Sequence, residues 1–201
     1  MTTSVDNSQR IAAKVAGIAG ILGFILVVFG NYVLLDPLIV PRNAVETAHN
    51  ILAHQTRFRL ALACFITYGI GGIVLLTALY VIFAPVNRGL ALAGALFRLV
   101  FVMLWLVAPL NSLDYVGLPF FGLAATVCAW LWLKSGYIAR GLSIFGVIAS
   151  AWCVICAFIY LIFPDFNKIV NDYIFDSPMA LFELVVSFVL LFKGLNPPGY
   201  R

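Results

Sequence analysis

Six stretches of the chain are almost free of polar residues: 11–35, 58–84, 89–111, 115–134, 138–163 and 177–193. A helix that crosses the hydrocarbon core of a bilayer needs about 20 apolar residues, with a lower limit near 17. The pattern predicts six membrane-spanning helices, the last of them short. Polar punctuation separates them: "DPLIVPRN", "APVNRG", "NSLD", "KSGYIARG" and "FPDFNKIVNDYIFDSP". Pro and Gly mark most of these breaks, as turn geometry requires.

One segment has a different rhythm. In "PRNAVETAHNILAHQTRFRL" (41–60), Asn43 followed by Glu46 is a capping-box pattern. Val45, Ala48 and Leu52 then recur at helical spacing along an otherwise polar stretch. This predicts a short amphipathic helix over 43–57 on the outer face, leading into the second span. Arg42 and Glu46 would be neighbours on its surface.

Composition sharpens the class. Of the 201 residues 64% are hydrophobic and 10% charged, with a mean hydropathy of +1.08. A soluble domain carries about 25% charged residues. So few charges cannot cover a water-exposed surface, and the expected fold is an all-α polytopic transmembrane bundle, one membrane domain over 1–201. The start "MTTSVDNSQRIAAKVAGIAG" resembles a signal peptide. Its apolar run is longer than a signal core and ends without a clear small-residue cleavage site, so it is expected to stay as the first helix.

Charge placement gives orientation. Six spans put both termini on one side. Arg10, Lys14, Arg88, Lys134, Arg140, Lys193 and Arg201 fall there, against Arg42, Arg57, Arg59 and Lys168 opposite. By the positive-inside rule both termini are expected in the cytoplasm of a bacterial inner membrane. Acidic residues lean the other way, with Asp36, Glu46, Asp114, Asp165, Asp172 and Asp176 opposite and Asp6 beside the termini. The net charge of +4 is scattered, so no nucleic-acid partner is expected; lipid, other membrane subunits or a second copy remain. Trp130 and Trp132 precede Lys134, which suits an interfacial aromatic belt.

"RGLALAG" (88–94) and "RGLSIFG" (140–146) share R-G-L-x-x-x-G. Either two helical hairpins repeat in tandem, with Gly94 and Gly146 at equivalent contacts, or basic boundaries and small residues recur because membrane helices favour both. His49 and His54 invite a metal, but five residues of helix separate them by about 140°. A two-histidine zinc site wants i,i+4. Cys64, Cys128, Cys153 and Cys156 all fall within spans. Cys153 and Cys156 share a helix face and could serve a thiol–quinone redox enzyme. The loops lack the exchanging cysteines such an enzyme uses, and cysteine also packs as a small apolar residue.

Two charges lie deep in apolar runs, Arg98 in the third span and Glu183 in the sixth. Arg98 stands ten residues from Arg88 and Glu183 ten from Lys193, so each is about 15 Å from the same boundary. Opposite charges at matched depth on antiparallel helices can pair, which a membrane interior demands of them. Such a pair either fixes helix register or forms a site for an ion or anionic substrate, with Arg98 binding and Glu183 gating or carrying a proton.

"PVNRGLALAGALFRLV", "LKSGYIARGLSIFGVI" and "ELVVSFVLLFKGLN", with "NILAHQTRFRLAL" at the entry to the second span, resemble the bacterial membrane family called domain of unknown function 4386. The resemblance covers about residues 43 to 196. Its pattern takes in Asn87, Arg88, Arg98, Ser135, Gly136, Arg140, Glu183, Lys193, Gly194 and Asn196. The chain departs from it at Ala124, where a His is often found, and at Ala139, where Pro is common. The resemblance implies a six-helix integral membrane protein and no particular activity. Two function classes follow. One is a non-enzymatic small transporter or accessory subunit of a membrane complex, without a prosthetic group or metal. The other is an intramembrane enzyme using Glu183, Arg98 and His54, or the redox protein built on Cys153 and Cys156. A single deep acid and a single deep base favour the first, since catalytic sites gather denser polar groups.

Overall fold

The computed structural model describes residues 5–41, 43–111, 116–163, 166, 169–170 and 172–197. Every regular element among them is helical: α1 (Asn7–Val28), α2 (Ala44–Ala53), α3 (Gln55–Phe83), α4 (Arg88–Asn111), α5 (Leu118–Ser135), α6 (Arg140–Ile162) and α7 (Asp172–Phe188). α1 passes into wider π turns over Phe29–Leu35 and a 3₁₀ turn over Asp36–Leu38, and α7 into π turns over Val189–Lys193. Six segments are long and apolar enough to cross a membrane: Asn7–Leu38, Gln55–Phe83, Arg88–Val107, Leu118–Ser135, Arg140–Ile162 and Ile174–Lys193. The protein is a polytopic helical bundle with six apolar spans, and α2 lies outside them.

Local chemistry sets several helix ends. Asp6 caps α1: its carboxylate accepts from the Gln9 amide at 2.7 Å, while the Asp6 amide donates to the Gln9 side chain at 3.2 Å. This reciprocal bonding occupies backbone donors that a helix start leaves free. Asn87 caps α4 by accepting from the Leu90 amide at 3.0 Å. α5 ends at Gly136, whose φ of 68° is the left-handed conformation that lets a helix stop sharply.

Each spanning helix packs against the next in sequence, and α7 packs back on α1, closing a ring α1–α3–α4–α5–α6–α7. The short connections 84–87 and 136–139 place α3 beside α4 and α5 beside α6 as antiparallel neighbours. The outer face carries the exposed apolar side chains, among them Ile11, Leu22, Ile66, Ile70, Met103 and Ile148. That is the surface lipid would cover. One end of the ring is tied together by polar bonds. The buried Gln9 side chain donates to the Ile82 carbonyl and to the Tyr137 hydroxyl, each at 3.0 Å. The Asn196 amide donates to the Tyr137 carbonyl at 2.8 Å. Both terminal segments, the end of α3 and the α5–α6 loop therefore meet at the same end.

The structure differs from the sequence pattern in three places. The amphipathic helix stops at Ala53, because His54 (φ −123°, ψ 45°) breaks the helix and Gln55 already opens α3. The sixth span is longer than 177–193, because Pro178 lies inside α7 rather than at its start. A proline in a packed membrane helix is tolerated when neighbouring groups take up the freed backbone. Trp130 is exposed as an interfacial belt requires, but Trp132 is buried edge-on against Phe83, with ring centroids 4.4 Å apart. Two residues along a helix turn a side chain by about 200°, so the pair cannot share a face. Arg42, Asp114, Asp165, Lys168 and Arg201, which entered the charge count, lie outside the described residues.

Ring closure depends on small residues. A methyl group on Gly17 would lie 2.7 Å from the Ser187 carbonyl oxygen and 2.8 Å from the Leu191 nitrogen, both backbone atoms of the last helix. Gly17→Ala is expected to cost about 1–3 kcal/mol through overpacking. Gly71→Ala, with nothing within 4 Å, is expected to be neutral or slightly stabilising. Thermal unfolding of the two variants in detergent checks this, and equal midpoints would refute the close seam.

Candidate functional site

Arg98 on α4 and Glu183 on α7 meet inside the ring. α4 and α7 are not neighbours around it and share no extended packing seam, so the side chains reach across the interior. The guanidinium engages the carboxylate in two places, Nη1 to Oε1 and Nη2 to Oε2, the latter at 3.0 Å. Such fork-to-fork pairing is the strong, oriented form of this contact. The Arg98 carbon centre also lies 4.8 Å from the centroid of the Phe121 ring on α5. Arg98 is 7% exposed, whereas the Glu183 side chain is 29% exposed. The register follows from sequence. α4 leaves and α7 returns to the same end, so residues at equal spacing from Arg88 and Lys193 arrive at equal depth.

The pair stands in the wall of a cavity of about 680 Å³, built from α1, α3, α4, α5 and α7. Tyr68, Phe101, Trp105 and Phe121 line it beside the ion pair, and most of the remaining wall is Ala, Gly, Leu and Val. Phe24 and Val28 of α1 and Leu181 of α7 also line it and are exposed on the outer surface. The α1–α7 seam is tight at Gly17 and Gly20.

Two buried N–H groups of residues that line the cavity have no acceptor among the described residues: Arg98 Nε and Trp105 Nε1. The Trp105 ring sits among Phe65, Tyr68 and Phe101, at centroid distances of 6.0, 6.1 and 5.8 Å. Ala124, where the family resemblance leads one to expect His, lines the same cavity.

The other residues singled out in the sequence lie elsewhere. His49 and His54 are exposed, one on α2 and one at its end, and no group of three His, Cys, Asp or Glu among the described residues could hold a metal. Cys153 and Cys156 are fully buried as free thiols in an apolar cluster with Tyr160, Phe175 and Met179. Gly94 and Gly146 each face the following helix, Gly94 at Val127 of α5 and Gly146 against the Phe182 ring of α7. Sequence reasoning gave no place beside the pair to Tyr68, Trp105 or Phe121. The available signal was spacing: Trp105 is seven residues past Arg98, two turns on and on the same face.

Removing one partner of a buried pair strands a charge and costs about 3–5 kcal/mol, whereas replacing both by apolar groups can be neutral. Arg98→Met and Glu183→Leu are each expected to lower stability sharply, and the double variant to recover most of the loss. A double-mutant cycle on unfolding in detergent measures the coupling. Additive losses would refute direct pairing.

No curated protein and no solved structure matches the chain. The family model described as "Domain of unknown function (DUF4386)" matches residues 15–118 and 110–194. The matched segments contain both halves of the ion pair and nearly the whole ring of helices. The six-span chain is a multi-pass membrane protein that belongs to the DUF4386 family.

Proposed function

We propose that the protein is non-enzymatic and holds a small lipid-soluble molecule in its interior, as a small transporter or as an accessory subunit of a membrane complex. One observation carries this: the Arg98–Glu183 pair borders a cavity of about 680 Å³ rather than lying in close packing. A pair that only fixed register would gain from tight surroundings, because protein interiors normally leave few voids larger than a water molecule. The enzyme alternatives are less favoured. The wall around the pair is mostly apolar, and Cys153 and Cys156 pack in a separate cluster. Cavity-lining residues that are also exposed on the apolar outer face, Phe24, Val28 and Leu181, support entry from the lipid.

The orientation proposed is both termini in the cytoplasm, in a bacterial inner membrane. The end where Gln9 meets Tyr137 also carries Arg10, Lys14, Arg88, Lys134, Arg140 and Lys193, which supports this. A reporter that fluoresces only in the cytoplasm is expected to stay bright when fused after Arg201. A dark fusion with intact membrane insertion reverses the orientation.

Binding is tested by extracting the protein together with its surrounding lipid and analysing the bound small molecules by mass spectrometry. Wild type is expected to carry a molecule small enough for the cavity in fixed ratio to the chain. Ala95→Trp, which fills space at the cavity wall, is expected to be depleted of it while unfolding at a similar temperature. Equal loading of the two forms, or none in either, would sink this function.

A further inference from the structure

Among the described residues α2 is the one α-helix outside the spans. Its faces are arranged the wrong way round for water. The polar side turns toward its own chain. The Thr47 hydroxyl accepts from the Val40 amide at 2.9 Å and donates to the Val40 carbonyl at 3.3 Å, and the Asn50 side chain donates to the Leu38 carbonyl at 3.4 Å. Val45, Ala48 and Leu52 lie on the opposite side, about 160° around the helix. Val45 is 83% exposed and Leu52 68%. A helix packed against a water-soluble core turns its apolar stripe inward; this one turns it out. The helix has ten residues, none of them buried. Isolated helices below about 12 residues are marginal in water. The outward stripe therefore calls for an apolar cover.

The neighbouring residues identify the cover. Leu52 shares one shallow groove with Val33, in the π turns after α1, and with Leu60, early in α3. Val33 and Leu60 belong to spanning segments and are about half exposed, like the rest of the outer apolar surface. The α2 stripe thus continues the surface that lipid covers. Arg57 stands on the rim of the groove and donates to the Val33 carbonyl, and Arg59 beyond it is exposed. Basic groups at the end of a span suit the level of the lipid headgroups. A second copy of the chain is a poorer cover. From Val45 to Leu52 the stripe runs about 10 Å, far short of the roughly 1,000 Å² a specific interface needs.

We propose that α2 is an interfacial anchor. It lies along the bilayer surface on the side away from the chain termini, with Val45, Ala48 and Leu52 set into the acyl boundary. Amphipathic helices bind lipid surfaces in this way. The proposal does not depend on what the cavity holds.

The test uses the full chain in nanodiscs of phosphatidylcholine and phosphatidylglycerol. Photoreactive p-benzoylphenylalanine replaces Val45, Leu52 or, as a control on the outer face of α3, Ile66. After irradiation, intact-mass spectrometry reads what each position has captured. Phospholipid adducts are expected at positions 45 and 52 as at position 66. Chain-to-chain adducts in their place overturn the proposal in favour of a second copy. Adducts at position 66 alone overturn it in favour of water. Hydrogen exchange gives an independent reading. Val45→Gln with Leu52→Gln keeps or raises helix propensity while removing the apolar contact. Amide exchange in α2 is expected to quicken at least about tenfold in the double variant, with the spanning helices unchanged. Exchange that stays the same or slows overturns the anchor. Should the double variant fail to fold, the capture experiment decides alone.

Discussion

A guanidinium and a carboxylate within an apolar bundle have few ways to coexist with lipid. Each must find an opposite charge, and here each finds the other across the ring rather than on a neighbouring helix. This one contact constrains much of the rest. It fixes the depth of α4 against α7, two helices with no extended seam of their own. The other helices close a ring around it. The cavity is the space left by that arrangement, and its wall is mostly apolar because the pair is nearly all the deep charge the sequence supplies.

The small residues answer the same constraint from the other side. Gly17 and Gly20 let the first helix come within backbone contact of the last, which closes the ring at one end. Beyond them the side chains enlarge to Phe24 and Val28, which line the cavity. Close approach at one end and cavity wall further along thus accompany a change in side-chain volume along α1.

Much of this was legible in the sequence because membrane segments obey simple length and polarity rules. The six spans, the cap at Asn43 and the matched depth of Arg98 and Glu183 could be read from residue spacing alone. What escaped depends on neighbours distant in sequence. Trp132 sits beside Lys134 and looks interfacial, but Phe83 from α3 covers it. Pro178 suggests a helix start, and only the packed surroundings of α7 show that the helix runs through it. The cavity could not be read at all, since hydropathy does not register unfilled volume. Phe121 and Tyr68 look like any other aromatic residues in apolar runs until the ring brings them to the pair.

Tyr137 has a consequence for how the molecule is made. Its hydroxyl receives Gln9 from the first helix and its carbonyl receives the Asn196 amide near the other end of the sequence. Translation delivers these partners in order, with Gln9 first, Tyr137 only after five helices, and Asn196 after the seventh. Gln9 can therefore meet its first acceptor, the Ile82 carbonyl, once α3 is made, but its second only after α5, and the knot at that end is complete only when Asn196 arrives. Insertion can proceed hairpin by hairpin, with α1 already able to pack on α3, but closure of the ring is a late event, since the other face of α1 waits for α7.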